Sequence, residues 1–213
     1  MLEALKELVC AVNRRLLSEH LLVQTCGNAS GRDRESGYVV VKPSGVPFEK
    51  LKAEDMIVVD VNEKIIEGTL KPSVDTRTHL YIYRSRPDVF GIIHSHSNYA
   101  TAFAACAMPI PVYLTAHADE FGCEIPVGAF APIGEEDIGR EIVRSIGSSK
   151  AILMTNHGVF TVGKGPAEAF KSAAMVEDVA KTTFIALQLG HPKPIPEKMV
   201  RQLHERYTTR YGQ

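Results

Sequence analysis

Short β-branched runs alternate with helical stretches along the whole chain, and this alternation restricts the fold more than any other feature. "GYVVVK" (37–42) and "MIVVDV" (56–61) carry residues that favour extended backbone. "NEK" then suggests a turn into "IIEG". Leu2, Leu5, Val9, Val12 and Leu16 recur every three or four positions, the spacing of an amphipathic first helix. Residues 75–86 read as a helix with Pro87 just beyond its end. "DVFGIIHSH" reads as an apolar strand, and "NYATAFAAC" as the helix behind it. "VYLTA" and "EIPVGAF" read as short strands. "GEEDIGREIVRSI" reads as a helix whose first turn is acidic, which suits the helix dipole. "KAILMTNHGVFTVGK" predicts a hairpin about Asn156, His157 and Gly158. A long helix follows, with Pro166 near its start and Gly190 at its stop, and "PEKMVRQLHERY" closes the chain as a short helix. Interleaved strands and helices with hairpin signals predict one α/β domain over residues 1–213, its mixed, largely antiparallel sheet covered by helices.

Composition narrows the partners. Twenty-four Lys and Arg against twenty-five Asp and Glu give a formal net charge of −1, which argues against non-specific binding to nucleic acid or a membrane surface. Cys10, Cys26, Cys106 and Cys123 form no CxxC pair, and a chain of this length needs no disulfide staples, so a reducing, cytoplasmic setting is expected. The N-terminus alternates leucine and charge and does not read as a signal peptide. Residues 97–116 carry no charge, but Pro109, Pro111 and many small residues predict a buried helix and a strand rather than a membrane span.

The chemistry concentrates at "GIIHSHSN" (91–98). His94 and His96 are separated by one residue, and on a strand such residues point to one face. They can share a proton, hold a metal, or simply pack. His157, beside a glycine in the predicted hairpin turn, and Asp75, at the start of a predicted helix, add a third imidazole and a carboxylate. Such a set suits a borderline divalent cation, zinc first. "HSHSNY" lacks the later ligands of an HxHxDH hydrolase. Ala100 and Thr101 stand where a cupin would carry glutamate, and an amidohydrolase would run longer.

Three segments have phosphate-binding character: "CGNASGRD" (26–33), read as a loop of small residues, "KPSG" (42–45), and its echo "KPSV" (71–74) just before a helix start. Exposed backbone amides, hydroxyls and a lysine suit phosphate oxygens. Asn, Ser, Gly and Pro are also the ordinary residues of turns and caps. Taken together beside a metal set, they point to a small phosphorylated ligand.

Read in order, "GNASGRD", "KPSG", "KPSVDTRTH", "GIIHSHS", "AHADEF", "NHG" and the terminal "YGQ" resemble the class II aldolase/adducin family over nearly the whole chain from Cys26 to Gln213. The resemblance implies a three-layer α/β/α domain and a homotetramer with active sites between subunits. It implies zinc, with manganese or cobalt as substitutes, on Asp75, His94, His96 and His157. It places substrate and phosphate on Gly27, Asn28, Lys42, Ser44, Gly45 and Ser73, and on the backbone amide of Val74, which stands where the epimerase pattern has a second serine. It assigns acid/base roles to Asp119 and Tyr211, with His204 a further catalytic candidate. Aspartate at position 75, "HAD" and "YGQ" resemble the family's epimerase branch, which interconverts L-ribulose 5-phosphate and D-xylulose 5-phosphate, as in L-arabinose catabolism. An aldolase acting on L-fuculose 1-phosphate is the alternative. An adducin-like interaction domain need not keep metal ligands, and a closed structural zinc site is usually cysteine-rich.

Overall fold

The computed structural model of the protein describes residues 2–210. Eight strands form one sheet: β1 (Asn28–Arg32), β2 (Val39–Val41), β3 (Ile57–Val59), β4 (Ile65–Glu67), β5 (Gly91–Ser95), β6 (Val127–Gly128), β7 (Ala151–Met154) and β8 (Gly158–Gly163). Their spatial order is β4-β3-β2-β1-β5-β8-β7-β6. All neighbours are antiparallel except β6 beside β7. The helices are α1 (Glu3–Ser18), α2 (Thr76–Ser85), α3 (Asn98–Ala105), α4 (Thr115–Phe121), α5 (Asp137–Ser145), α6 (Pro166–Leu189) and α7 (Glu197–Arg210).

The two-residue period of the strands sorts their side chains between two helical layers. Val39 and Val41 turn to one face, where they join Leu80 and Tyr83 of α2 and Ile138 and Ile142 of α5. Val40 turns to the other, against Val9 of α1 and Met56. On that second face α6 lays Val176, Val179 and Ala180 over Leu153 and Val159, together with α3 and α4. Sheets covered on both faces read as near-continuous apolar runs, which is why "VVV" and "AILM" do not alternate with polar residues. Each fully buried Val or Ile contributes roughly 1.5–3 kcal/mol of transfer free energy. None of the helices among the described residues is long and apolar enough to cross a membrane.

Three sequence expectations are corrected. "CGNASGRD" is not a loop: its centre is β1, paired between β2 and β5. Its residues are small because helices press on it. A Cβ at Gly31 would stand 2.8 Å from Pro166 and 2.9 Å from Leu5. "VYLTA" is not a strand. Only Ile110 bridges to Ile125, and the backbone winds into α4 from Thr115. "EIPVGAF" keeps two strand residues, Val127 and Gly128, because Pro126 can only accept, taking the Leu153 amide on its carbonyl.

Candidate active site

β5 delivers the two histidines of the "HSH" motif, and the β7–β8 hairpin delivers the third. Asn156 takes a left-handed φ of 57°, turning the chain so that His157 faces β5. Gly158 is required by the close approach of the two strands. A Cβ there would lie 2.6 Å from the Ser95 carbonyl and 3.3 Å from His94 Cε1. One ring nitrogen each from His94, His96 and His157 then falls within 4.8 Å of the others. The ring centroids are 4.6, 4.7 and 5.2 Å apart.

The protonation pattern of this cluster can be read from its partners. His94 Nδ1 lies 3.0 Å from the Val159 carbonyl, which only accepts, so Nδ1 carries the proton. Burial holds His94 well below the ordinary imidazole range, with His96 and His157 adding to the shift, so the ring is neutral and Nε2 is a lone pair. That lone pair lies 2.9 Å from His96 Nε2. Burial also lowers His96 and His157, and His157 Nδ1 is buried without a partner among the described residues. Nitrogens bound at about 2.05 Å to a tetrahedral zinc stand about 3.4 Å apart. The observed nitrogens, 2.9 Å apart in one pair and all within 4.8 Å, bracket that value, and neutral imidazoles so converged fit a divalent cation.

Asp75 precedes α2 and lines the same cavity, 9 % exposed. Its Oδ2 accepts a 2.6 Å hydrogen bond from Asn28 Nδ2, and that same nitrogen donates to Ser73 Oγ at 3.0 Å. Both Asn28 protons are therefore used, and its side chain stands behind the cavity wall as a clamp rather than offering a donor to a ligand. Gly27, with φ of 95°, passes so close to β5 that a Cβ would lie 2.6 Å from the His94 carbonyl.

The repeated "KPS" segments turn out to be one paired element. Pro43 bridges to Pro72, Ser44 N–H donates to the Lys71 carbonyl, and Ser73 N–H donates to the Lys42 carbonyl. The pairing brings Ser44, Gly45, Ser73 and Val74 to the rim of one cavity of about 310 Å³, with Lys42, Asp75 and the three histidines in its wall. Lys42 Nζ lies 4.6 Å from the centre of the Phe48 ring and donates to the Pro43 carbonyl. Burial lowers its pKa. Thr25, Cys26 and Ile133 also line this cavity. Sequence reasoning did not single them out, because they carry no motif and reach the site only through the fold.

Asp119 stands elsewhere within the chain. It lies on α4 and lines a cavity of about 400 Å³ with Ala116, Glu120, Met175, Arg206 and Tyr207. One carboxylate oxygen lies 3.5 Å from Arg206, and the other is buried without a partner among the described residues. His204 Nδ1 donates to the Asp119 carbonyl at 2.7 Å, and its ring covers Gly122, so His204 anchors α7 to α4. Glu120, 2 % exposed, pairs with Lys171 at 2.8 Å and accepts from Ser172. Lys171 in turn donates to the Tyr207 phenol. No sequence signal links these residues, because they meet only where α4, α6 and α7 cross. Tyr211 lies outside the described residues.

His117, also on α4, gives a test of the fold. Its Nε2 donates to the Cys123 carbonyl, Nδ1 is buried without a partner among the described residues, and burial pushes its pKa down to about 4. The unfolded chain, titrating near 6.5, binds more protons than the folded one between these values. The stabilisation is therefore complete above about pH 6.5 and lost as pH falls through about 4, on the order of 3 kcal/mol. Urea midpoints should drop over that window, and His117→Asn should flatten the drop.

The geometry so described is that of a known family. The model for the class II aldolase and adducin N-terminal domain matches residues 7–184, and the chain belongs to that family. Among solved structures, it is similar to an L-fuculose 1-phosphate aldolase with 29 % identity and a TM-score of 0.92, covering 96 % of each chain. YgbL from Klebsiella pneumoniae matches at 25 % identity and a TM-score of 0.84, over 95 % of this chain and 99 % of that one. L-fuculose 1-phosphate aldolase from Glaciozyma antarctica PI12 matches at 25 % identity and a TM-score of 0.83, over 96 % of this chain and 81 % of that one.

Proposed function

We propose that the chain is a divalent-metal-dependent enzyme that breaks the carbon–carbon bond β to a ketone in a phosphorylated sugar. We further propose that it recaptures the fragments, so that the net reaction is 4-epimerisation of L-ribulose 5-phosphate to D-xylulose 5-phosphate. The observation that carries the metal reading is the convergence of three neutral imidazoles on one point in a cavity rimmed by the paired "KPS" loops.

Physical chemistry constrains the route. The hydrogen on C4 is not adjacent to the C2 ketone and is not acidic, so its direct removal is slow. Cleaving C3–C4 moves the bonding electrons to C3, where the carbonyl delocalises them as the enediolate of dihydroxyacetone. The other fragment is glycolaldehyde phosphate. A bound cation, zinc or in its place manganese or cobalt, supplies Lewis-acid stabilisation of the charge that builds on the ketone oxygen. His94, His96 and His157, with Asp75 clamped by Asn28, would hold it. Lys42, the Ser44 and Ser73 hydroxyls and the Gly45 and Val74 amides retain the phosphate while the aldehyde rotates and presents its other face.

Reversal at C4 needs a proton acceptor on one face of the C4 oxygen and a donor on the other. Asp119 supplies one and Tyr211 the other. Because Asp119 and the histidines line separate cavities of one chain, Asp119 serves the cluster of a second copy in a homotetramer. The epimerase reading rests on the aspartate at position 75, which lines the cavity of the three histidines and accepts from Asn28, and which would serve there as a ligand rather than a free base.

The likeness to L-fuculose 1-phosphate aldolase favours a second reading, release of dihydroxyacetone phosphate and an aldehyde from a sugar 1-phosphate. Incubating the metal-loaded chain with both sugars separates the two. D-xylulose 5-phosphate formed without free aldehyde supports the epimerase, while accumulating dihydroxyacetone phosphate refutes it. Lys42→Met is expected to raise KM for the phosphorylated sugar by about 10–150-fold, the worth of a charged hydrogen bond, with a much smaller change in kcat. An unchanged KM would remove Lys42 from the phosphate site.

A further inference from the structure

One titratable side chain under the site has no place in this mechanism. Asp75, His79 and Tyr83 lie at i, i+4 and i+8, one stripe along the start of α2. The stripe faces β1, where Asn28 and Ser30 alternate onto the same face of the sheet. Polar contacts join the two: Asn28 donates to Asp75, Ser30 Oγ lies 2.7 Å from His79 Nδ1, and Ser30 Oγ lies 2.9 Å from the Tyr83 hydroxyl. His79 is 1 % exposed, and its Nε2 is buried without a partner among the described residues. Phe160 stands edge-on to His79 at 6.2 Å and stacks on His94 at 4.1 Å, so His79 belongs to the layer directly beneath the metal ligands.

Proton counting decides the polarity of the relay. Each contact of Ser30 holds one hydrogen. Burial raises the Tyr83 phenol, so it keeps its proton, and Ser30 Oγ is its one described side-chain acceptor. Tyr83 therefore donates to Ser30, Ser30 donates to His79 Nδ1, and His79 carries its own proton on Nε2. A buried N–H left unpaired keeps its desolvation cost uncompensated. The anion on the same helical stripe is Asp75, whose second oxygen Asn28 leaves free.

We propose that His79 is a positioning residue of the metal centre: the Tyr83–Ser30 pair locks its tautomer, and its Nε2–H donates, directly or through one water, to the Asp75 carboxylate of the metal-loaded chain. The opposite polarity would set an imidazole lone pair against that carboxylate and push it away from the cation. The inference rests on the metal reading above and adds a residue to it that touches neither metal nor substrate.

The test titrates the metal-free full chain with Co²⁺, following the visible d–d absorption, with thermal melts alongside. Outer partners of metal ligands are typically worth about 10–100-fold in affinity, and His79→Leu should weaken Co²⁺ by that factor. His79→Gln, whose amide N–H can replace Nε2–H, should remain within about 3-fold of wild type. Tyr83→Phe frees Ser30 to accept from Nδ1 and should weaken Co²⁺ by a smaller factor while altering the d–d band. A folded His79→Leu chain with wild-type Co²⁺ affinity overturns the proposal. Should that variant not fold, an unchanged affinity and spectrum in Tyr83→Phe overturns it instead. Wild-type chain that binds no Co²⁺ overturns the metal reading itself, and this inference with it.

Discussion

His94→Ala is expected to abolish turnover, by at least about 10³-fold, together with most of the affinity for zinc or cobalt. The ring is held by the Val159 carbonyl on one side and by stacking on Phe160 on the other, so it is fixed before any cation arrives. Removing it takes away one of the three converging nitrogens. A smaller effect is expected at Cys26 or Ile133, which line the cavity but offer no comparable ligand in the cluster. Metal content by atomic absorption and turnover by a coupled ketose assay are the two measurements. Full activity in metal-free His94→Ala would sink the metal mechanism.

Asp119→Asn is expected to lower turnover by about 10²–10⁴-fold, the usual worth of a general acid or base, while leaving metal binding unchanged. The sharper result comes from mixing. If Asp119 serves the histidine cluster of a second copy, subunits of Asp119→Asn and His94→Ala reassembled in equal amounts restore intact sites. Random assembly should return about a quarter of wild-type activity, because each site then draws its two parts from different chains. If Asp119 acts within its own chain, every site in the mixture carries one defect or the other and nothing is restored. This follows from an observation about one chain, that Asp119 and the three histidines line separate cavities.

The elements that were legible in the sequence are those whose signal is local. The α1 stripe, the β7–β8 hairpin with Asn156 at its turn, and the α6 start at Pro166 all follow from spacing and backbone preference. The errors fell where small residues serve packing. β1 read as a loop because Asn, Ser and Gly are turn residues in isolation, whereas here Gly31 lets α1 and Pro166 approach the sheet. The strand expected at 112–116 failed because apolar residues beside prolines do not say whether a partner strand exists, and only Ile110 finds one.

The site divides in the same way. By itself the sequence determined the ligand chemistry: an i, i+2 histidine pair on a strand, a third histidine in a turn, an aspartate at a helix start, and two lysine–proline–serine segments. Periodicity carries that information because it acts over a few residues. Only the tertiary structure decided that the two "KPS" segments pair with each other and that Asn28 spends both amide protons on Ser73 and Asp75. It alone decided that His204 anchors Asp119 and that His79 lies under the histidine cluster with a buried nitrogen unpaired among the described residues. These contacts join residues 27 to 85 positions apart, or depend on which buried groups remain unmatched once the layers close. A chain's local pattern says which atoms can bond, and the packing of sheet against helix settles which of them are left to hold a cation.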